Sequence, residues 1–168
     1  MSLASRVVFL LAVAAVATPA LADDCAAAAK NAMLNSGLTP RSLISTSTDA
    51  QGKPSVTRQV QTEADKFVQL PNGQWYSMGI AIKDLTDNTK TAKITCQSSG
   101  SDVVNGSPAV VYLVHIEDEG SVVDDKMWIS SKSLVLKSET NQQGAHITTL
   151  YDYDHIVPPA NYKSMGRK

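Results

Sequence analysis

The residues of this 168-residue chain that could carry chemistry are three histidines, several acidic pairs, two cysteines and many serines. His115, His146 and His155 fall on three different predicted elements with no short spacing between any two. That is a poor pattern for zinc, which draws its ligands from closely spaced pairs. The nearest approach to a metal site is Asp152, Asp154 and His155, where carboxylates and an imidazole could converge at a strand end. A solvated strand terminus is the commoner state of such residues. The serines include no Gly-x-Ser-x-Gly elbow and no ordered acid, base and nucleophile. Glu117-Asp118-Glu119 and Asp124-Asp125 flank Gly120-Ser121, which predicts the water-exposed rims of a hairpin loop and not a buried acid and base. The expectation is therefore a protein that is not an enzyme and holds neither metal nor cofactor.

The N-terminus points to export. Residues 1–22 have Arg6 near the start, the apolar run Val7 to Val16, and Ala20-Leu21-Ala22 as a small-x-small site, so a signal peptide cleaved after Ala22 is expected. The apolar run falls short of the roughly 20 residues that span a bilayer, and no later stretch reaches it, so the chain is not expected to span a membrane. Cys25 is preceded by Asp24 where a lipidation site wants a small residue, which favours a free periplasmic protein. Removal of 1–22 leaves 146 residues, one domain over 23–162 followed by a loose tail, 163–168. The formal charge of −1 becomes −2 when Arg6 is removed, and no run of like charges occurs, so nucleic acid is excluded as an expected partner. Cys25 and Cys96 are the two cysteines of an exported chain, and a disulfide between them is predicted. It would close a loop of about 70 residues, which the chain-entropy model values on the order of 4 kcal/mol.

The elements that must position these groups are mostly strands. After Asp23-Asp24, which can cap it, CAAAAKNAMLNSG is the clearest helix, with Gly37 and Pro40 predicted to end it. Cys25, Ala28, Ala29, Ala32 and Ser36 give it a narrow face of small residues that allows close approach to a neighbour, expected to be the sheet. Strands are predicted over Leu43 to Thr48, Ser55 to Thr62, Lys66 to Leu70, Gln74 to Met78 and Thr91 to Ser98, with Pro71-Asn72-Gly73 as a tight turn. Gly79 to Lys90 admits one or two helical turns, and Ser99 to Pro108 reads as a loop. Ala109 to Glu117 is apolar on both faces and is expected to lie centrally in the sheet, covered on both sides. Lys126 to Pro159 then carries three period-two strands with turns at Ser131-Lys132 and Asn141 to Gly144, an antiparallel meander.

The resulting fold class is α+β, an antiparallel sheet of about eight strands with an N-terminal helix and one or two short helices. Trp75, Tyr76, Tyr112, Trp128, Tyr151 and Tyr153 are its main aromatic residues. Each alone reads first as core. Together, on a sheet too large for so few helices to cover, they predict an incompletely filled concave face that forms a hydrophobic cleft.

The order of elements resembles the LolA-like group of periplasmic proteins. The resemblance is carried by the signal peptide, the helix, "NGQWYSM", an irregular segment, "GSDVVNGSPAVVYLV", "KMWISSKSLVLKSE" and "GAHITTLYDYDHIVPP". It implies an unclosed half-barrel with helices over the concave side and a general role in binding a lipid or other apolar small molecule. No ligand-contacting residue of the lipoprotein carriers maps onto this chain. The residues expected to line the cleft are Trp75, Met78, Tyr112 and Trp128, chosen for their places along the strands. The competing reading is a module whose sheet, or sheet edge, recognises another protein of the cell envelope.

Overall fold

The computed structural model describes residues 20–85, 89–142 and 144–165, with side chains from residue 24 onward. Most of the expected signal segment, 1–19, and the end of the tail, 166–168, lie outside the described residues. The described residues form one helix, α1 (Ala20–Leu38), and ten strands: β1 (Arg41–Thr48), β2 (Pro54–Gln61), β3 (Lys66–Gln69), β4 (Trp75–Ser77), β5 (Lys93–Val104), β6 (Ser107–Asp118), β7 (Ser121–Ser130), β8 (Val135–Gln142), β9 (Ala145–Asp152) and β10 (Lys163–Ser164). A single 3-10 turn, Ile82–Asp84, falls where one or two helical turns are expected from sequence.

All ten strands join one open sheet in the order β10-β4-β3-β2-β1-β9-β8-β7-β6-β5, antiparallel except for the β10–β4 pair. The predicted meander is present as β7-β8-β9, and β9 pairs with β1 to join the two hairpin series. Because β5 and β10 are separate edges, the sheet does not close into a barrel. The count exceeds the expected eight partly because Lys163 and Ser164, assigned to a loose tail, pair with Tyr76 and Ser77.

Two further expectations are corrected. Ser99 to Pro108 is not a loop: β5 continues to Val104 through a register shift between Ser98 and Ser101, and β6 starts at Ser107. Asn105 and Gly106 both take positive φ, 49° and 81°, the geometry of a two-residue hairpin turn whose twist matches its strands. β6 is not central either. It lies second from the β5 edge, with Val110 41% and Leu113 46% exposed, so its doubly apolar sequence leaves apolar surface uncovered.

The small-residue stripe of α1 seats the helix on β5–β8. Ala29 and Ala32 are fully buried, Cys25 and Ser36 nearly so, and they pack with Val114, Met127, Ile129 and Val135. Alanine at the contact lets the helix axis come close to the sheet, and Ser36 Oγ uses that closeness to accept from the Val135 amide at 2.8 Å. The structure joins Cys25 to Cys96 of β5, with Cα atoms 5.8 Å apart, fastening the same helix face to the sheet edge. Gly37 does not end α1. The helix runs on to Leu38, and its last carbonyls are capped by side chains: Arg41 Nη1 donates to Ser36, Gly37 and Thr39, and Thr39 Oγ1 donates to Asn35. A second buried cluster, Val104, Ala109, Val111 and Trp128, occupies the opposite face of the sheet.

Candidate functional site

Strand alternation sorts the side chains into a helix face and an outer face. On the helix face, α1 covers only part of β5–β8 and leaves a hollow along each flank.

Along one flank runs a groove of about 640 Å³, walled by Ala28 of α1, Val103, Pro108, Val110, Tyr112 and Ile129. Val103 is 61% exposed, and it faces Pro108 across the β5–β6 hairpin. Ser101, Ser130, Ser131 and Ser133 supply the polar groups around it. The β6 sequence carries the signal for this site, since two apolar faces on a strand next to an edge cannot both be covered.

At the other flank, beneath the C-terminal turns of α1, is a smaller cavity of about 240 Å³. Met33, Met127 and Val135 form its apolar walls, and Ser36, Arg41, Asp125, Ser138 and Tyr151 turn towards it. Burial lowers the Arg41 guanidinium and raises the Asp125 carboxyl from their ordinary values. Burial also raises Tyr151 and pushes Tyr153 up to about 12. Among the described residues, Arg41 Nε and Asp125 Oδ1 are the buried side-chain atoms without a hydrogen-bond partner. Asp125, expected on a water-exposed rim, instead lines the cavity beneath α1. Its alternation with Met127 and Ile129 was the signal that it faces the helix.

The four residues expected to line one cleft are not brought together. Tyr112 lies in the groove. Trp128 is on the outer face, 3% exposed, because its strand phase is that of Val111 and Lys137 rather than of Met127 and Ile129. Trp75 is at the far end of the sheet, beside Pro159 and Asn161. Met78 is half-buried just past β4, where its amide donates to the Lys66 carbonyl.

The polar residues considered for catalysis form local networks. His115 Nδ1 is 2.6 Å from Asp124 Oδ1 and its Nε2 3.3 Å from Glu117, and the Asp124 contact first of all raises its pKa. Asp152 Oδ1 accepts from the amides of Asp154 and His155, and these backbone bonds lower its pKa while Oδ2 meets His155 Nδ1 at 3.1 Å. Asp152 thus shapes the turn that follows β9. Among the described residues, no group of three or more His, Cys, Asp or Glu side chains could hold a metal ion.

No protein-family model matches the sequence, and no curated protein is similar to it. Solved structures are similar to it at low identity. The LppX lipoprotein of Mycobacterium tuberculosis is 11% identical, with 77% of this chain and 94% of that one covered and a TM-score of 0.49. LprF of Mycobacterium bovis is 10% identical over 83% of this chain and 98% of that one, TM-score 0.46. A LolA superfamily protein of Nitrosomonas europaea is 9% identical over 79% and 91%, TM-score 0.33. At these values the likeness decides nothing about fold, ligand or partner.

Proposed function

We propose that the protein is a non-catalytic, exported binder of a lipid or other apolar molecule, held in the groove between α1 and the β5–β7 end of the sheet. The observation that carries this reading is the apolar surface left uncovered there: Val103 and Val110 stand open beside Tyr112 and Ile129, in a space of about 640 Å³. That volume is in the ordinary range of small-molecule sites, and mostly apolar walls with a few hydroxyls at the margin are their usual make-up. The sequence resemblance to LolA-like proteins supports the same role, and the export-signal pattern of 1–22 supports a periplasmic location. Native mass spectrometry of protein purified from its own periplasm tests the proposal. A co-purifying lipid, with a polypeptide starting at Asp23, is expected; a bare protein that also fails to take up a fluorescent lipid would refute it.

A second reading, recognition of another envelope protein, is favoured by the β5 edge. This strand is twelve residues long and pairs only with β6, and its stretch Gln97 to Ser101 carries no charge. Long edges are open to strand addition, and the irregular register between Ser98 and Ser101 confines the regular part of this one to its two ends. A reproducible protein partner without lipid, lost on Ser98→Pro substitution, is the outcome that would favour it.

A further inference from the structure

Trp75 and Trp128 belong to one cross-strand row: Trp75 stands opposite Gln69, and the row continues through Arg58, Ile44, Leu150 and Lys137 to Trp128. Trp75 is therefore on the outer face, away from α1 and from the groove. The C-terminal segment is fastened to the same end of the sheet. Tyr162 meets the Phe67 ring in a T-shaped contact with centroids 5.0 Å apart, Lys163 and Ser164 pair with β4, and the Met165 amide donates to the Ser77 carbonyl at 3.0 Å. These contacts set Pro159 and Asn161 beside Trp75, and a hollow of about 470 Å³ lies between the two segments.

Asn72 and Gln74, from the turn between β3 and β4, complete its walls. The turn occupies one end of each carboxamide: Asn72 Oδ1 accepts from the Gln74 amide at 3.0 Å, and Gln74 Nε2 donates to the Trp75 carbonyl at 3.0 Å. Asn72 Nδ2 and Gln74 Oε1 are left over, and among the described residues neither end of the Asn161 carboxamide is bonded to protein. No Asp, Glu, Lys, Arg or His among the described residues lines the hollow, so nothing there pairs with the charge of a phosphate, carboxylate or ammonium group. Carboxamides donate and accept, which matches hydroxyls, themselves both donors and acceptors. The indole and the proline ring add flat apolar surface on which C–H groups can lie. A sugar ring has both features, hydroxyls around its rim and C–H groups on its faces. A lipid chain would use the indole and none of the amides. We propose that this hollow binds a neutral pyranose, with the ring on Trp75 and its hydroxyls at Asn72, Gln74 and Asn161. The pyranose is either a free sugar or one residue of a glycan chain.

Titrating the whole mature protein with glucose, N-acetylglucosamine and the β-1,4-linked trisaccharide of each, followed by amide and indole NMR shifts, tests this. Shifts are expected at the Trp75 indole and the Gly73 and Asn161 amides, and not at the Trp128 indole, Val103 or Val110. A monosaccharide that binds within about threefold of its trisaccharide identifies a single ring as sufficient, and a gain of about tenfold or more for the trisaccharide identifies a glycan chain. Trp75→Ala should weaken binding about tenfold or more through loss of the aromatic surface. Asn161→Ala, at an exposed position without a protein hydrogen bond among the described residues, should leave the fold intact and weaken binding about threefold or more, the size of one hydrogen bond. Glucuronate and glucosamine carry a charge that the hollow does not pair and should bind no more tightly than glucose. Tighter binding of either by about tenfold, unchanged affinity in Trp75→Ala or in Asn161→Ala, or no shift of the Trp75 indole with any of these sugars up to its solubility limit overturns the proposal. The groove lies on the other face and is read at Val103 and Val110, so failure here and failure of the groove reading are distinguishable.

Discussion

Trp128 Nε1 donates to Asp102 Oδ2 at 2.9 Å, across the outer face of the sheet between β7 and β5. Lys126 and Lys137 place their ammonium groups 4.8 and 4.2 Å from the indole centroid, and Val104, Ala109 and Val111 close around it. The hydrogen bond to Trp128 is the first cause that holds the Asp102 carboxyl below its usual range. Trp128 is thus the centre of a small second core. Its replacement by Ser should cost about 3–5 kcal/mol, the cost typical of removing a buried large aromatic, and any loss of ligand uptake should track unfolding. Chemical denaturation and uptake measured on the same sample check this; near-normal melting with lost uptake would return Trp128 to a binding role.

The groove makes the opposite prediction. Val110 is 41% exposed and faces the groove with Tyr112, so Val110→Asp puts a charge into the site without opening a cavity in the core. Uptake of a fluorescent apolar probe should fall about tenfold, as expected for a charge facing an apolar ligand, while stability stays within about 1 kcal/mol because surface positions rarely cost more. Equal uptake by the variant and the unsubstituted protein would remove the groove from consideration.

The strands were legible because period-two alternation is strong from Lys126 to Tyr153, and the helix because its alanine run and small-residue face point to one close contact. Facing was less legible. Met127 and Trp128 are adjacent and both buried, and alternation alone does not tell which of them meets the helix; the register of β7 against β6 decides it. Asp125 was hidden for a related reason. Asp124 and Asp125 look alike in sequence, but opposite phases send Asp124 to His115 and Asp125 under the helix. The turn Asn105-Gly106 was visible, and what concealed the hairpin around it was the polar stretch Ser98 to Ser101, which pairs through an irregular register.

The Cys25–Cys96 disulfide spans 71 residues and ties α1 to an edge strand. In the chain-entropy account its removal costs about 4 kcal/mol. Since the fully buried contacts of α1 are alanines, which bring little apolar area each, Cys96→Ala should loosen the helix from β5 as well as lower the melting temperature. Faster amide exchange confined to α1 and β5, alongside the lower melting point, is the expected pattern. A variant that melts like the unsubstituted protein would show that the bond adds no stability.

Asp125 sets the last prediction. Burial raises its carboxyl above the ordinary 3.8, helped by the charge of neighbouring Asp124. A carboxyl whose folded-state pKa lies above its unfolded value binds its proton more tightly when folded, so it favours the folded state at low pH. As pH rises from below 3.8 through the raised value, the folded state must either hold the proton or ionise in a partly dry site, and stability falls; above that window the penalty is complete. Asp125→Asn carries no such proton. Its stability relative to the unsubstituted protein should therefore rise as pH increases from the ordinary carboxylate value through the raised one and level off beyond, with the difference constant below the ordinary carboxylate range. Denaturant melts at intervals from pH 3 to 8 measure this. A difference between the two proteins that does not change with pH would mean that Asp125 ionises as freely folded as unfolded, and that the cavity beneath α1 is wetter than its Met33, Met127 and Val135 walls imply.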